Sequence, residues 1–189
     1  MPQRLFIAID LPEDVRQRLG ILLSGRPDGV KPVRPEQMHL TLHFLGNVED
    51  GPAAALLAAL AAIHQPAFTI DLAKGGCFPS PRRPNVLWIG VEPSRPLDAL
   101  HAAVARVLAD GGLAVESRPF VPHITLARVS RRLPTGWVEA FLATAAGFSI
   151  SAVTVTSFTL YASERTNNSA VHTPLGRYPL PDDRVEQSS

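Results

Sequence analysis

The chain carries the sequence His-x-Thr twice in similar surroundings, and this duplication constrains its fold more than any other feature. The first copy lies in segment 38–46 (MHLTLHFLG) and the second in segment 120–128 (FVPHITLAR). Polar and apolar residues alternate in both copies, and side chains two positions apart on a β-strand point to the same face. Each strand therefore presents one histidine and one threonine together, and turns its aliphatic residues toward a core.

The order of the predicted elements repeats as well. A strand, helix, strand, helix, strand pattern covers about residues 3–74 and returns over about 85–156. Such units bury one sheet face under helices, and neither is large enough to be stable comfortably alone. We expect an α+β, bilobal fold: two pseudo-symmetric lobes of antiparallel sheet flanked by helices, with the His-x-Thr strands facing each other across a central cleft.

The predicted units form one bilobal domain over residues 1–180. Segments 157–162 and 170–180 have the pattern of strands that complete the sheets, and 181–189 is polar and predicted to be a flexible tail. The proline-rich segment 78–84 is interpreted as a stiff loop between sheets rather than as a linker between independent domains.

Composition narrows the class of protein. The 189 residues include 46% hydrophobic residues, 18 basic and 17 acidic residues, for a net charge of +1. This composition predicts a globular chain without broad electrostatic steering, so any nucleic acid would have to be held locally. Cys77 is the single cysteine, which excludes an internal disulfide and a multi-cysteine zinc site. We expect a cytoplasmic protein with no membrane contact, and a monomer by default.

The paired motifs suit phosphodiester hydrolysis without a metal or another cofactor. Such a reaction needs a base for water, an acid for the leaving oxygen and donors for the phosphoryl oxygens. His39 and His123 supply the acid and the base near neutral pH, and the hydroxyls of Thr41 and Thr125 supply donors. A single copy would more often be a buried structural histidine; two copies in equivalent positions indicate a shared site.

A zinc site is the weaker interpretation. His39 and His43 have the His-x-x-x-His spacing of a zinc helix, but Leu40 stands where such sites need a catalytic glutamate. On a strand, residues four apart are separated by about 13 Å, too far for one metal ion. Simple alternation places His43 on the face of His39, while its counterpart is Ala127. We therefore predict that His43 either lines the cleft as a substrate-binding residue or supports a residue that does, rather than acting as a catalyst.

These segments resemble the two-histidine phosphoesterase superfamily, and within it the RNA 2′,3′-cyclic phosphodiesterases, also called 2′-5′ RNA ligases. The resemblance covers nearly the whole chain and is strongest in segments 4–8, 39–46, 87–90 and 120–128. It implies a bilobal α+β fold and metal-free hydrolysis of a 2′,3′-cyclic phosphate, on RNA 3′ ends or small cyclic nucleotides, to a 2′-phosphate. It also implies a reversible 2′-5′ ligation.

The resemblance further implies individual roles. His39 would be the general acid on the departing 3′-oxygen and His123 the general base on water, while Thr41 and Thr125 would hold the phosphate oxygens. The pseudo-symmetry leaves the acid and base labels exchangeable. Arg128 is a further candidate for substrate binding, because a guanidinium suits a phosphate. Alternation turns it away from His123, and it reaches the cleft only if the strand twists or bulges near its end.

Other positions and functions stay open. Phe44 alternates away from His39, which favours the core over a base-stacking role. Tyr161 and His172 are candidate base or ribose contacts, although loop or edge positions are the default for both. One alternative function is a phosphodiesterase for another cyclic phosphate, such as ADP-ribose 1″,2″-cyclic phosphate or an oligoadenylate. The other is a nucleotide- or RNA-binding module without turnover.

Overall fold

A computed structural model describes residues 2–165 and 170–182, so the predicted tail lies, from residue 183 onward, outside the described residues. The strands are β1 (Gln3–Asp10), β2 (Val30–Pro32), β3 (His39–Val48), β4 (Phe68–Ser80), β5 (Arg83–Val91), β6 (His123–Val129), β7 (Ser149–Val155), β8 (Ser157–Arg165) and β9 (Ala170–Pro179). The helices are α1 (Glu13–Ile21), α2 (Asp50–Leu60), α3 (Arg95–Asp110) and α4 (Trp137–Ala146), with a 3-10 helix at Pro35–Gln37.

All nine strands belong to one antiparallel sheet in the order β7-β4-β5-β6-β3-β1-β8-β9, and β2 pairs with part of β6. The sheet has a first half, β3-β1-β8-β9, and a second half, β7-β4-β5-β6. The halves meet between β3 and β6, where Leu40 pairs with Ile124. The predicted α+β class and its two halves of antiparallel sheet are confirmed.

Local sequence explains the central elements. Strand β1 contains the continuous apolar run Leu5–Ile9, in which each residue is at most 3% exposed, as expected for a strand covered on both faces. Helix α3 begins at a side-chain cap, because the Ser94 hydroxyl accepts a hydrogen bond from the Leu97 amide at 3.4 Å. Its buried residues recur every three or four positions, so one face packs on the sheet: Leu97, Leu100, Val104 and Leu108.

The helices cover the two halves of the sheet. Helix α3 contacts β3, α2 contacts α3 and β9, and α4 contacts β4. Helix α1 reaches the second half, where Arg18 donates a hydrogen bond to the carbonyl of Ser149 at 3.4 Å. Within residues 2–165 and 170–182, no helix combines the length and apolar character that crossing a bilayer would require.

The halves of the sheet do not coincide with the predicted sequence units. Strand β4 falls mostly within unit 3–74, but it pairs with β5 and β7 in the second half. The reason lies in segment 78–84, which was predicted to be a loop: β4 and β5 extend into it, and Ser80 pairs with Arg83 at the tip of a hairpin. This short connection keeps β4 beside β5, and β8 occupies the position next to β1.

Candidate active site

A cleft of about 330 Å³ opens beside the junction of β3 and β6. Each of these two strands contributes three of its lining residues: His39, Thr41 and Phe44 from β3, and His123, Thr125 and Arg128 from β6. The fold therefore brings the four His-x-Thr side chains into one cavity, as the duplicated motif predicted they would meet.

The two histidine rings are held in the same way. Nδ1 of His39 lies 2.7 Å from the carbonyl oxygen of Gln37, and Nδ1 of His123 lies 2.7 Å from that of Val121. A carbonyl oxygen can only accept, so each Nδ1 carries the proton and donates it. In the neutral rings, Nε2 is then an unprotonated acceptor in both halves of the site. Such a nitrogen can remove a proton from water or, once protonated, donate to a leaving oxygen.

Aromatic side chains support both rings. His39 stacks on Phe6 with ring centroids 5.0 Å apart. His123 packs edge to face against Phe78 at 5.0 Å and lies tilted against Trp88 at 5.9 Å. These contacts restrict rotation of the imidazoles about their side-chain bonds. The rings are thus oriented before a substrate enters.

Close approach of Trp88 to the neighbouring strand needs a residue without a side chain. Gly76 on β4 pairs with Trp88 on β5, and a Cβ atom at Gly76 would clash with the indole ring. Glycine at this position therefore leaves room for the indole ring, which also contacts His123.

Burial makes His39 electrostatically different from a free imidazole. Removal from water lowers the pKa of His39 to about 4, and the nearby His172 adds to the effect. The hydrogen bond to the Gln37 carbonyl and the charge of Asp10 oppose the shift but are outweighed. His39 is consequently neutral at pH 7 in the free protein.

Both motif strands contain a β-bulge immediately after the threonine. The pairing of β1 with β3 shifts between Ala8↔Thr41 and Ile7↔His43, and that of β5 with β6 shifts between Trp88↔Thr125 and Leu87↔Ala127. A bulge adds one residue and reverses the alternation beyond it. Two consecutive residues are therefore buried in each strand, and the next one returns to the cleft face: Phe44 in β3 and Arg128 in β6.

The bulges determine the outcome of three predictions that were based on the regular alternation of side chains along a strand. Arg128 lines the cleft, through the bulge that was anticipated as its route. Phe44, predicted to be in the core, is 55% exposed and also lines the cleft. The structure does not bring His43 into the cleft: the side chain is 2% exposed, and Nε2 donates to the backbone carbonyl of His101 at 3.0 Å. The regular alternation of side chains holds only up to the threonine of each motif. Without the bulges, Arg128, Phe44 and His43 would each lie on the opposite face of the strand.

The cleft is suited to an anion. Arg4, Lys31 and Arg128 line it, and no aspartate or glutamate does so among the residues that the structure describes. Lys31 is not among the site residues that the sequence predicted. Strand β2 pairs Lys31 with Arg128 and so places Lys31 beside the cleft. Only this long-range pairing reveals its position, and no local pattern in the sequence could have indicated it.

A second hollow of about 310 Å³ adjoins the cleft and shares His39 and His172 with it. Asp10 lies in this hollow and accepts hydrogen bonds from Tyr161 at 2.6 Å and from Thr159 at 3.0 Å. Burial and the bond to Asp10 raise the pKa of Tyr161, so its hydroxyl stays protonated at neutral pH. Both candidate nucleoside contacts, Tyr161 and His172, therefore line the hollow that adjoins the cleft.

The described part of the chain holds no group of three or more histidine, cysteine, aspartate or glutamate side chains placed to bind one metal ion. Cys77 is half-buried, and burial raises its pKa. The cleft offers proton transfer by the imidazoles of His39 and His123, hydrogen bonding by the hydroxyls of Thr41 and Thr125, and charge neutralisation by cationic side chains: Arg4, Lys31 and Arg128.

Comparison with known proteins places this site in a family. The profile of the 2′-5′ RNA ligase superfamily matches residues 13–167. The chain is 37% identical over 182 residues to the RNA 2′,3′-cyclic phosphodiesterase of Escherichia coli K12, covering 95% of this chain and 97% of that protein. It is 35% identical to the protein of the same name from Thermus thermophilus, over 94% and 90% of the two chains.

Solved structures agree with the sequence matches. E. coli LigT in its apo form superposes with a TM-score of 0.76 at 35% identity, over 96% of this chain and 99% of LigT. The curled antiparallel sheet with four helices is common to both, which confirms the predicted fold and the predicted family. The chain belongs to the 2′-5′ RNA ligase superfamily.

Proposed function

We propose that this protein is an RNA 2′,3′-cyclic phosphodiesterase, which opens the cyclic phosphate at an RNA 3′ end, or on a small cyclic nucleotide, to leave a 2′-phosphate. One observation carries the proposal: two identically oriented imidazoles, each with a threonine two residues on, face the same cationic cleft. The curated relatives named RNA 2′,3′-cyclic phosphodiesterase support the same activity.

The reaction follows from the groups in the cleft. Water attacks the phosphorus while one Nε2 takes its proton, and the other imidazole protonates the 3′-oxygen as the P–O3′ bond breaks. Thr41 and Thr125 donate to the non-bridging oxygens, and Arg128 neutralises the charge that develops on them. Each positioned proton transfer is worth about 10²–10⁴ in rate, which makes loss of either histidine severe.

The labels of acid and base depend on a change in His39. If His39 is the acid, as the resemblance implies, it must gain a proton, although burial lowers its pKa to about 4 in the free protein. A bound phosphate anion favours the protonated imidazole and raises that pKa. The proposal with His39 as acid therefore requires proton uptake on binding; without it, His123 is the acid and His39 the base.

The same site can also support ligation, in which a different nucleophile opens the same ring. A 5′-hydroxyl of a second RNA in place of water, with the same departure of the 3′-oxygen, gives a 2′-5′ phosphodiester. Microscopic reversibility then lets the two histidines exchange roles in the cleavage of that bond. Ligation needs a second RNA end near the cleft, so we expect hydrolysis to dominate with small substrates.

Related structures widen the range of substrates to test. E. coli LigT has been solved with 3′-AMP, with ATP and with NADP⁺. An adenine nucleotide is thus the first substrate class to test on this chain, with ADP-ribose 1″,2″-cyclic phosphate and oligoadenylate as competing substrates. A shared catalytic core predicts that the two motif histidines are needed for whichever of these is hydrolysed.

The test is turnover of adenosine 2′,3′-cyclic phosphate in excess EDTA, with identification of the product. We expect adenosine 2′-phosphate from the wild type and from His64→Ala, a matched control because His64 is an exposed histidine outside the cleft. His39→Ala and His123→Ala should each lose most of the rate. Binding of the product without turnover in the wild type would instead indicate a binding module, and turnover abolished by EDTA would refute the metal-free mechanism.

A further inference from the structure

Three aromatic rings form a continuous stack behind the cleft. His43 on β3 stacks on His101 of α3 with centroids 4.1 Å apart and 16° between the ring planes. His101 stacks in turn on Phe120 at 4.0 Å and 13°. We call these three residues the ring column. It begins at the bulge in the strand of His39 and ends three residues before His123.

The segment that leads into His123 has little support from backbone hydrogen bonds. Residues 114–121 make no backbone–backbone hydrogen bond with one another or with any other described residue. The flanking anchors are the amide of Leu113, which donates to Leu108 at 2.9 Å, and the carbonyl of Pro122, which accepts from Val91 at 3.2 Å. Yet the carbonyl of Val121, inside this segment, is the acceptor that sets the His123 ring.

The corresponding carbonyl in the other motif is supported by the backbone. Gln37 belongs to the 3-10 helix, its amide donates to Arg34 at 2.8 Å, and its side chain donates to the carbonyl of Ala170 at 2.5 Å. The acceptor of His39 is therefore held by hydrogen bonds. The acceptor for His123 is the carbonyl of Val121, the residue that follows Phe120. The Phe120 ring is partly buried and stacks on His101.

We infer that the ring column is a positioning device for His123, with His101 as its central positioning residue. It acts through Phe120, which fixes the Val121 carbonyl and so the tautomer and direction of the His123 ring. His43 ties the column to the strand of His39, through its stack and its 3.0 Å hydrogen bond to the His101 carbonyl. The inference rests on the proposed function only for its effect on rate.

Burial favours neutral, stacked rings in the column. Burial lowers the pKa of both His43 and His101, and the neighbouring imidazole lowers that of His101 further. Glu116 acts on both rings and Asp98 on His101 in the opposite direction, without outweighing burial. Experiments at pH 8 therefore examine the column in its neutral form and avoid its titration.

The test compares three variants within one helix. His101→Ala removes the central ring, His101→Phe keeps a flat ring in the same place, and Val104→Ala is a buried control on α3 that reports loss of helix packing alone. Two quantities are measured at pH 8: kcat and KM for adenosine 2′,3′-cyclic phosphate, and the proton-bearing nitrogen of each motif histidine by ¹⁵N–¹H NMR.

We expect His101→Ala to lower kcat by about 10-fold or more, part of the range that one acid–base group supplies, with KM within about two-fold. His123 should change from the Nδ1–H form to a mixture of tautomers, while His39 keeps Nδ1–H. His101→Phe should restore both properties. A kcat for His101→Ala equal to that of Val104→Ala, corrected for folded fraction, or an unchanged His123 tautomer would overturn the inference.

Two further features keep the test decisive. If His101→Ala does not fold, Phe120→Leu removes the terminal ring while keeping an apolar side chain, and the same change in the His123 tautomer is expected. If the wild type shows no turnover, the proposed function fails, but the NMR comparison still decides whether the column orients His123. The two failures are therefore distinguishable.

Discussion

Acidification should destabilise this fold through His39, and replacing that residue by glutamine should remove the effect. Burial lowers the pKa of His39 to about 4 in the folded protein, whereas an imidazole in the unfolded chain titrates near 6.5. Between these values the unfolded chain binds more protons than the folded one, so folding becomes less favourable as the pH falls. Above about pH 6.5 both states are neutral, and His39 contributes no such penalty.

The magnitude follows from the two pKa values. At pH 4.5 the unfolded imidazole is almost fully protonated and the folded one mostly neutral, which corresponds to about 2–3 kcal/mol of lost stability. This figure is a ceiling, because one edge of the ring faces the open cleft and solvent relieves part of the cost. Glutamine has no charge to gain and keeps an amide that can donate to the Gln37 carbonyl.

The assay is urea unfolding of the wild type, His39→Gln and His64→Gln at pH 7.0 and 4.5. The buried His43 and its stacking partner His101 are common to all three proteins and lie away from His39, so their effect cancels from the comparison. The wild type should lose more stability than His39→Gln between the two pH values, by up to about 2–3 kcal/mol. His64→Gln, which alters an exposed histidine, should lose as much as the wild type. Equal losses in the wild type and His39→Gln would refute the reasoning.

Three further substitutions test the cleft and its support. Arg128→Ala should raise KM for a cyclic nucleotide about 10-fold, which corresponds to the loss of one hydrogen bond to a charged group. The same variant should show a weaker salt dependence of kcat/KM, measured at two ionic strengths. Phe44→Ala should raise KM about 5-fold or more if a base stacks on the ring, whereas steady-state kinetics of Phe44→Tyr should match the wild type. Tyr161→Phe should lower the free energy of unfolding by about 1–3 kcal/mol, as measured in urea, because Asp10 loses its 2.6 Å donor.

The sequence predicted that the motif histidines and threonines meet in one cleft, because that prediction needs only short, regular alternation. From His39 to Thr41, and from His123 to Thr125, the strands are regular, and the two polar side chains share a face as expected. Burial of the aliphatic residues between them supports the same register. The duplication then made a common cleft the simplest arrangement, and the pairing of β3 with β6 provides it.

Positions beyond the threonines could not be predicted in the same way. The bulged residues Leu42 and Leu126 carry no local mark such as a glycine, so nothing in the sequence indicates where the alternation reverses. Arg128 was predicted only with a bulge as its condition, and Phe44 and His43 were assigned to the wrong faces. The exchange of β4 between halves depends on the hairpin at 80–83, where three prolines in segment 78–84 favoured a loop.

Under the proposed function, the matching bulges would let the nearly symmetric pair of motif histidines act on an asymmetric substrate. The same backbone device projects an aromatic ring, Phe44, from one half of the site and a cation, Arg128, from the other. A cyclic nucleotide likewise has a base on one side of its ribose and an anionic phosphate on the other. Stacking at Phe44 and charge pairing at Arg128 would favour one orientation over its reverse, so the two histidines meet chemically different oxygens. Duplication would then supply the proposed acid–base pair, and the different residues that follow each bulge would give that pair a direction.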